Sequence, residues 1–414
     1  MSPSADASQQ GGRIEKLGDA FDLLAAYSDG GFLFERTGTG VAASAPIVAT
    51  ATLAAAARML ADVDRAIAGG GRTVAVGTIP FRDPDGTSSI LSVASRTVRR
   101  TAPGETARID LGDPAVTRSE RPFGRPFSRM AGSVPREPFT GRQLHAVPSV
   151  DGYAAAVAEV VRRLDDGLRK VVLARTIEVD AGRELDARRL GHRLRAVNPD
   201  AFTFAAPTKD GILVGATPEL LVSRFGREVR SNPLAGSAAR SGDPEEDRAN
   251  ADELLASAKD REEHAIVVEA IARVLRPFCR ELTWDPAPTL LETPNVWHLS
   301  TRFRGLLREP SPGVVELVQA LHPTPAVAGE PRVAALGLIA ELEPFARGSY
   351  AGPVGWVDAS GDGEWAIALR CAELRGDHAT LYAGAGIVAG SRPEAEVDET
   401  ERKFRAFLDA LRWG

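Results

Sequence analysis

The stretch WAIALRCAELRGDHATLYAGAGIV, residues 365–388, contains two apolar runs separated by polar residues around Gly376. The runs Trp365–Leu374 and Thr380–Ala385 have the length and composition of β-strands. The rest of the chain shows similar rows of strands, interrupted by helices of varied length, which do not form a regular βαβ repeat. This order predicts an α+β fold with large, mostly antiparallel sheets flanked by helices.

Outward from this stretch, hydrophobic periodicity predicts the other elements. A Lys-Asp-Gly turn at residues 209–211 predicts a hairpin between two of the strands. The further predicted strands cover residues 74–79, 89–93, 171–179, 202–204, 212–216, 296–303 and 354–357. The predicted helices cover residues 52–68, 153–168, 244–278, 314–321, 333–342 and 396–411.

The composition excludes several classes of protein. Of 414 residues, 43% are hydrophobic and 26% are charged, as in ordinary globular proteins. The formal net charge of -6 gives no reason to expect nucleic acid as a partner. The two cysteines, Cys279 and Cys371, form no disulfide framework. Because the chain has no apolar run long enough for a signal peptide or a membrane span, we expect a cytoplasmic protein with no membrane partner.

Changes in composition along the chain suggest its domain organisation. Residues 1–12 are small and polar, and we expect them to be disordered. Residues 114–142 are rich in Pro, Arg, Gly and Ser, which is typical of a long loop. A chain of this length forms one large domain or two to three small ones. We predict one α+β domain over residues 13–414, with an N-terminal part at 13–145 and a motif-bearing part at 150–412.

Four carboxylates form two pairs with a spacing of three residues: Asp260 with Glu263, and Glu396 with Glu399. Positions i and i+3 share a helix face. Two such faces that meet would form an all-oxygen site for a hard cation such as Mg²⁺. Acidic residues at this spacing are more often a solvated helix face, and the spacing alone does not say that the helices meet.

Lys170 and Glu219 each lie beside an apolar strand. Lys170 opens the run KVVLAR. It either extends to solvent at the strand end or is buried, where a neutral amine can act as a base. Glu219 follows Gly-Ala-Thr-Pro and is either a plain turn residue or a functional carboxyl group.

Arg370 and a glycine pair suggest an anion site. Arg370 lies within the predicted strand 365–374, where a charged side chain needs a partner. That partner is either a structural carboxylate or the carboxylate of a ligand, which a guanidinium binds bidentately. Gly384 and Gly386 allow a ligand to approach the backbone and its N–H groups.

Ten motifs together resemble the chorismate-utilising enzymes, a family of anthranilate, aminodeoxychorismate, salicylate and isochorismate synthases. They occur in the family's order over more than half of the chain, whereas the first 150 residues match only loosely. The motifs are KVVLAR (170–175), GATPELL (215–221), PLAGSAAR (233–240), LLASAKDREEH (254–264), WHLSTRF (297–303), HPTPAVAG (322–329), YAGPVGW (350–356), GDGEWAIALRCAEL (361–374), YAGAGIV (382–388) and EVDET (396–400). The resemblance implies the fold of anthranilate synthase component I.

Some positions discriminate within this family. The ammonia-using members carry Gln where Lys170 stands, so the resemblance implies water as the nucleophile and no obligatory glutaminase subunit. Ala235 occupies the place of a nucleophilic lysine in the aminodeoxychorismate enzymes, which disfavours a covalent adduct. The sequence around Ala326 and Gly355-Trp356 is more similar to isochorismate than to salicylate synthases. Conversion of chorismate to isochorismate is therefore the expected activity, with salicylate synthesis and a non-catalytic chorismate-binding protein as alternatives.

The resemblance also implies roles for individual residues. Lys170 is the expected base for water, and Glu219 is the expected acid for the departing hydroxyl group. The expected metal is Mg²⁺, bound directly by Glu263 and Glu399. Further metal contacts through water are expected from Asp260 and Glu396. The expected substrate-binding residues are Ala235, Gly236, His298, Ala326, Tyr350, Arg370, Tyr382, Gly384, Gly386 and Lys403.

Overall fold

The structure is a computed structural model that describes residues 13–17, 21–28, 30–66, 73–83, 89–100, 106–110, 142–164 and 167–412. The predicted disorder of residues 1–12 lies outside these ranges. The predicted loop 114–142 also lies outside them, except for Arg142, which begins a strand.

Helices and strands alternate irregularly along the described chain. The helices are α1 Leu23–Ala26, α2 Ala56–Ala66, α3 Val150–Arg163, α4 Ala187–Val197, α5 Pro244–Ala256, α6 Ala258–Leu275, α7 Val314–Leu321, α8 Arg332–Leu342 and α9 Pro393–Arg412, with 3₁₀ turns at Leu53–Ala55 and Arg276–Phe278. The strands of the first half are β1 Arg13–Leu17, β2 Phe32–Arg36, β3 Thr39–Thr52, β4 Val74–Thr78, β5 Ile90–Arg100, β6 Thr106–Asp110, β7 Arg142–Val147, β8 Lys170–Asp180, β9 Phe202–Pro207 and β10 Ile212–Thr217. The remaining strands are β11 Leu220–Phe225, β12 Glu228–Asn232, β13 Leu234–Ala239, β14 Cys279–Trp284, β15 Thr289–Glu292, β16 Val296–Ser300, β17 Phe303–Leu307, β18 Gly329–Glu330, β19 Pro353–Asp358, β20 Gly363–Ile367, β21 Cys371–Arg375 and β22 His378–Ile387.

Strand pairing within the described residues is antiparallel throughout, which confirms the predicted α+β class. A first arm of the large sheet runs through neighbouring strands β7, β8, β22, β21, β10 and β9. The N-terminal strands β2, β3, β5 and β4 continue it. They lead to a second arm of β19, β20, β11, β12, β17 and β14. A small separate sheet contains β13, β16 and β15.

The chain passes between the two arms at two short segments, which we call the crossings. The first crossing, Pro218–Glu219, joins β10 to β11, and the second, Ala368–Arg370, joins β20 to β21. Two backbone hydrogen bonds link the crossings. Ile367 N–H, at the end of β20 just before the second crossing, donates to the Glu219 carbonyl of the first crossing at 3.1 Å. Ala216 N–H, near the end of β10 just before the first crossing, donates to the Arg370 carbonyl of the second crossing at 3.2 Å. The two crossings are therefore held side by side.

Alternation along the first-arm strands explains how this arm is buried on both faces. On β9 and β10, Phe204 and Leu213 belong to the larger apolar core, whereas Ala205 and Val214 belong to a second core. Side chains of α1, α4 and α9 fill this second core, including Leu190 of α4. Because successive strand residues point to opposite faces, the helices cover one face and the larger core covers the other.

No helix in the described part of the chain is long and apolar enough to cross a membrane.

The sequence-based hairpin is confirmed, since β9 pairs with β10 from Phe202↔Thr217 to Pro207↔Ile212. The predicted single helix 244–278 is wrong, because Ser257 ends α5 and begins α6. Its backbone N–H bonds to Glu253 at the end of α5, while its hydroxyl accepts from Asp260 N–H in the first turn of α6. A serine that caps a new helix favours this break.

Several other element boundaries also differ from the prediction. The predicted strand 365–374 is interrupted at the second crossing, so Arg370 lies between β20 and β21 and not within a strand. The predicted strand 296–303 is divided because β16 pairs in the small sheet while β17 pairs in the large one. The predicted helix 52–68 begins later, since β3 extends to Thr52 in order to pair with β5.

Candidate active site

A cavity beside the two crossings collects most of the predicted site residues. It encloses about 720 Å³ when the open space at its mouth is included. Its walls include thirteen of them: Glu219, Ala235, Gly236, Glu263, His298, Ala326, Tyr350, Arg370, Tyr382, Gly384, Gly386, Glu399 and Lys403. The other three, Lys170, Glu396 and Asp260, do not line its wall.

Lys170 lies directly behind the cavity wall. It is the first residue of β8 and is fully buried, so it does not extend to solvent. Its Nζ forms an ion pair with Glu263 Oε1 at 2.9 Å. Within the described residues this Nζ has no partner with hydrogen-bond geometry, which leaves its hydrogen-bonding capacity available. A buried amine held in this way can serve a small acceptor such as water.

Gly386 is the part of the wall that separates Lys170 from the cavity. A Cβ atom at this position would lie 2.1 Å from Glu263 Oε1 and 2.9 Å from Lys170 Cε. Real Cβ atoms do not approach other atoms so closely, so a side chain at this position would force the Glu263 carboxylate and the Lys170 stem to shift. The close approach allows the Glu263 carboxylate to reach the cavity surface, with the Lys170 amine directly behind it.

Glu219 occupies the first crossing and is only 3% exposed. Burial raises the pKa of this carboxyl to about 8, against the opposing charges of Lys170 and Lys403. The group is therefore largely protonated near neutral pH, which is the state that a general acid needs. The cavity wall thus includes a carboxyl whose pKa is raised, and a buried lysine lies directly behind that wall.

Arg370 occupies the second crossing with a positive φ of 50°, unusual for a residue with a side chain. Its Nη2 donates to His298 Nε2 at 2.9 Å. Burial and the charge of Arg370 hold the pKa of His298 well below its usual range, so the ring is neutral and accepts. Within the described residues no ion pair links Arg370 to a carboxylate, and its guanidinium can therefore bind a carboxylate from a ligand.

The backbone of β22 adds hydrogen-bond donors beside this guanidinium. Gly386 and Gly384 are paired with Val172 and Ala174 of β8. Those two partners direct their own N–H groups away from β22, to Ala328 O and Glu343 Oε1. In an antiparallel ladder such positions leave both strands' N–H groups pointing outward. The N–H groups of the two glycines therefore point away from β8, toward the side of β22 where β21 lies. The pairing of β21 with β22 ends at Leu381, so this side is open beside both glycines.

Two stacked tyrosines and a lysine complete this wall. The rings of Tyr350 and Tyr382 stack with centroids 4.8 Å apart. Lys403 donates to the Gly384 carbonyl at 2.8 Å and to Glu399 Oε1 at 2.5 Å. Burial opposes ionisation of Glu399, but Lys403 and a hydrogen bond from Ser237 outweigh it and lower the pKa of Glu399 to about 2. This carboxylate is ionised at any working pH.

The small sheet contributes another part of the cavity wall. Ala235 and Gly236 lie on β13, where the pairing with β16 is shifted between Ala235 and Ser237. Gly236 has a positive φ of 77°, which glycine adopts without strain. Ala326, from the segment before β18, also lines the cavity. These residues place no charged side chain against the ligand space.

The four predicted metal carboxylates each have their own partner. Glu263 pairs with Lys170, Glu399 pairs with Lys403, and Glu396 pairs with Lys259 at 2.8 Å. Asp260 accepts a hydrogen bond from the Ser257 hydroxyl at 2.5 Å. In the described ranges, no three His, Cys, Asp or Glu side chains form a group that holds a metal ion directly.

The same carboxylates nevertheless lie within electrostatic reach of one another. Burial and the nearby charge of Glu399 raise the pKa of Glu396. Burial also raises the pKa of Asp260, with smaller contributions from Glu263 and Glu399. Such crowding of oxygen donors, three of which have a lysine as their partner, fits a hard divalent cation better than it fits an empty protein interior.

Three residues near the site were missed by sequence reasoning. Arg347 is buried and lines the cavity, where it pairs with Glu343 and donates to the Val327 and Val172 carbonyls at 2.8 Å. Ser237 and Lys259 lie inside the motifs 233–240 and 254–264. Ser237 of β13 contacts Glu399, and Lys259 of α6 contacts Glu396. Both glutamates lie on α9, so the spacing of residues along the sequence does not indicate these contacts.

Comparison with known proteins assigns this site to a family. A family model described as "Chorismate binding enzyme" matches residues 130–412. Isochorismate synthase DhbC of Bacillus subtilis is 47% identical over 273 residues, which cover 64% of this chain and 69% of that relative.

Solved structures agree over nearly the whole chain. The crystal structure of DhbC from Bacillus anthracis has a TM-score of 0.80 and 35% identity, and covers 95% of this chain and 99% of that chain. Anthranilate synthase component I of Streptococcus pneumoniae has a TM-score of 0.65 over 98% of this chain and 93% of its own. At 21% identity it confirms the predicted fold alone. The chain belongs to the chorismate-binding enzyme family.

Proposed function

We propose that this protein is an isochorismate synthase, an isomerase that converts chorismate to isochorismate. The observation that carries the proposal is the buried Lys170 amine directly behind the cavity wall, together with the buried Glu219 carboxyl in that wall, whose pKa burial raises to about 8. The relative at 47% identity bears the same activity in its name. Ala235 stands where a covalent mechanism would require a lysine, which favours water as the nucleophile.

The reaction moves a hydroxyl group from C4 to C2 of the ring. The Lys170 amine, when uncharged, accepts a proton from water as that water adds at C2. The ring double bonds shift, and the C4–O bond breaks as Glu219 gives its proton to the departing hydroxyl group. One water enters and one leaves, so the atoms balance. Each proton transfer contributes about 10²–10⁴-fold to the rate.

Chorismate is a dicarboxylate, and this cavity offers a place for one of its carboxylates at Arg370. We assign the enolpyruvyl carboxylate to Arg370, with Tyr350 or Tyr382 and the open N–H groups of Gly384 and Gly386. His298 orients the guanidinium through its 2.9 Å hydrogen bond. The small residues Ala235, Gly236 and Ala326 provide space for the ring. Lys403 would balance the negative charge of Glu399.

The second carboxylate, on the ring, is the natural partner of a metal ion. We propose that Glu263 and Glu399 hold Mg²⁺ directly, and that Glu396 and Asp260 contact its water ligands, since Mg²⁺ keeps several waters. When bound, the ion supplies positive charge that fixes the ring carboxylate. The crowded carboxylates described above support this assignment.

Removal of the metal should stop turnover. We expect EDTA-treated protein to lose isochorismate formation and added Mg²⁺ to restore it, as followed by chromatography of the product. Zn²⁺ or Ca²⁺ at the same concentration serves as a comparison. Persistent activity in a sample shown to be metal-free would remove the cation from the mechanism.

Replacement of Gly386 by alanine should disable the site without unfolding the protein. The new Cβ displaces Glu263 and Lys170, and misplacement of a catalytic group by about 1 Å costs about 10²-fold in rate. Gly337→Ala is the matched control, because nothing lies within 4 Å of its Cβ position in α8. We would measure kcat and the melting temperature of both variants. Wild-type kcat in Gly386→Ala would contradict the close approach.

Product analysis tests the proposed activity itself. One chromatographic run on chorismate and Mg²⁺ should show isochorismate alone. Salicylate together with pyruvate would instead identify a salicylate synthase, and no product under binding conditions would identify a non-catalytic relative. When an ammonium salt is added to the same assay, we expect no anthranilate, because Lys170 stands where ammonia-using relatives carry Gln.

The cellular setting follows from the same proposal. We propose action in the cytoplasm, where chorismate would be the small-molecule partner, with no glutaminase subunit.

We also propose that residues 13–414 act as one domain, because β2, β3, β5 and β4 connect the two arms that bear the crossings. A fragment limited to 150–412 would lack these connecting strands.

A further inference from the structure

Lys259 forms the most exposed of the three lysine contacts around the carboxylates. It lies in the first turn of α6, and its Nζ donates to Glu396 Oε1 on α9 at 2.8 Å. The Glu396 side chain is 1% exposed, whereas that of Lys259 is 33% exposed. The carboxylate is thus fixed in the interior, and its positive partner reaches it from the surface.

The other two lysines are held more firmly. The Lys170 side chain is 1% exposed, and the proposed mechanism uses it as the base. Lys403 binds the Gly384 carbonyl in addition to Glu399. The Lys259 stem lies beside Gly390, where no side chain blocks it, and its head can move into solvent by rotation of its own bonds.

We propose that Lys259 is a displaceable counter-ion, which compensates Glu396 when no divalent cation is bound and thereby sets the affinity of the site for that cation. The inference rests on the proposed function only in that the four carboxylates bind a divalent cation. Lys259 is a positioning residue, since its ammonium group contacts a carboxylate and not the substrate.

Two effects of opposite sign follow from this role. Without a cation, the lysine stabilises the folded protein, because a buried carboxylate with no partner is strongly destabilising. With a cation, the same positive charge repels the ion and weakens its binding. A lysine with a merely structural role would stabilise the protein in both states, so its loss would weaken cation binding or leave it unchanged.

The test compares Lys259→Met with the wild type and with Lys209→Met, which removes an equal charge from the exposed β9–β10 turn. Mg²⁺ binding is measured by titration calorimetry in the absence of chorismate, and melting temperatures are measured in EDTA and in excess Mg²⁺. We expect Lys259→Met to bind Mg²⁺ about tenfold more tightly. We also expect it to melt several degrees lower in EDTA and to regain that loss with Mg²⁺. Lys209→Met should match the wild type.

A second pair of variants identifies the carboxylate involved. In a Glu396→Gln background, loss of Lys259 should tighten Mg²⁺ binding less than it does in the wild-type background, because the lysine no longer compensates a carboxylate there and only its repulsion of the ion remains. Unchanged or weaker binding by Lys259→Met, while the wild type binds Mg²⁺, would overturn the role of Lys259 and leave the proposed activity intact. A wild type that converts chorismate yet binds no Mg²⁺ would overturn both this role and the metal assignment.

Discussion

Substitution of Lys170 by alanine should lower kcat for isochorismate formation by about 10²–10⁴-fold, while chorismate still binds. The amine is the proposed acceptor of the proton from water, and no other amine lies among the residues lining the cavity except Lys403, which is bound to Glu399 and Gly384. Arg370 and the glycine N–H groups assigned to the enolpyruvyl carboxylate are untouched by the substitution, whereas Glu263, assigned to the metal, loses its ion-pair partner. The loss should therefore appear mainly in kcat and less in substrate affinity.

Three measurements separate this effect from general damage. Chorismate binding is followed by calorimetry, turnover by product chromatography, and folding by the melting temperature, since Glu263 loses its partner in the variant. Lys209→Ala, in the exposed turn, is the control for loss of a lysine. Lys170→Gln, which introduces the residue of ammonia-using relatives, should also fail to add water. Normal turnover in either Lys170 variant would refute the assignment of the base.

Replacement of Glu219 by glutamine should lower kcat to a similar degree, by about 10²–10⁴-fold. Glutamine has nearly the size of the protonated carboxyl but cannot give up a proton to the departing hydroxyl group. The pKa of Glu219 is raised from its ordinary range to about 8 by burial. Because the protonated form is the active acid, wild-type turnover should be retained up to about pH 8 and should fall as the pH rises further.

The pH profile tests this assignment independently of the size of the loss. We expect a falling limb near pH 8 in the wild type and none in the residual activity of Glu219→Gln. Glu228→Gln, on the exposed face of β12, serves as the control for loss of a carboxylate. An unchanged falling limb in Glu219→Gln would assign it to another group and leave Glu219 without a role as acid.

The sequence predicts best those elements whose signals are local. The β9–β10 hairpin follows from its Lys-Asp-Gly turn, and α7 begins and ends at the predicted residues Val314 and Leu321. It predicts poorly where distant pairing decides the outcome. The strand from Ile90 continues to Arg100, well beyond the predicted end at residue 93, because β3 provides a partner along its length. The residues around β5 do not indicate that β3 will pair with it.

The candidate site shows the same division. The motifs identify Lys170, Glu219 and Arg370, and the structure brings two of them to the wall of one cavity and the third directly behind it. Spacing within α6 and α9 places each carboxylate pair on a helix, and it places Lys403 one turn after Glu399 on α9. It contains no information about Lys259 as the partner of Glu396, because that contact depends on how α6 and α9 pack together.

The two crossings have a consequence for the order in which parts of the protein fold. Glu219 and Arg370 are fixed by segments that belong to neither arm, and the arms are connected through β4, which pairs Val76 with Trp356 of β19. Contacts between residues so far apart in sequence form slowly, because a long loop must close before they yield any stabilisation. The acid and the guanidinium should therefore reach their final positions among the last events of folding, and recovery of catalysis would then mark the completion of the native state.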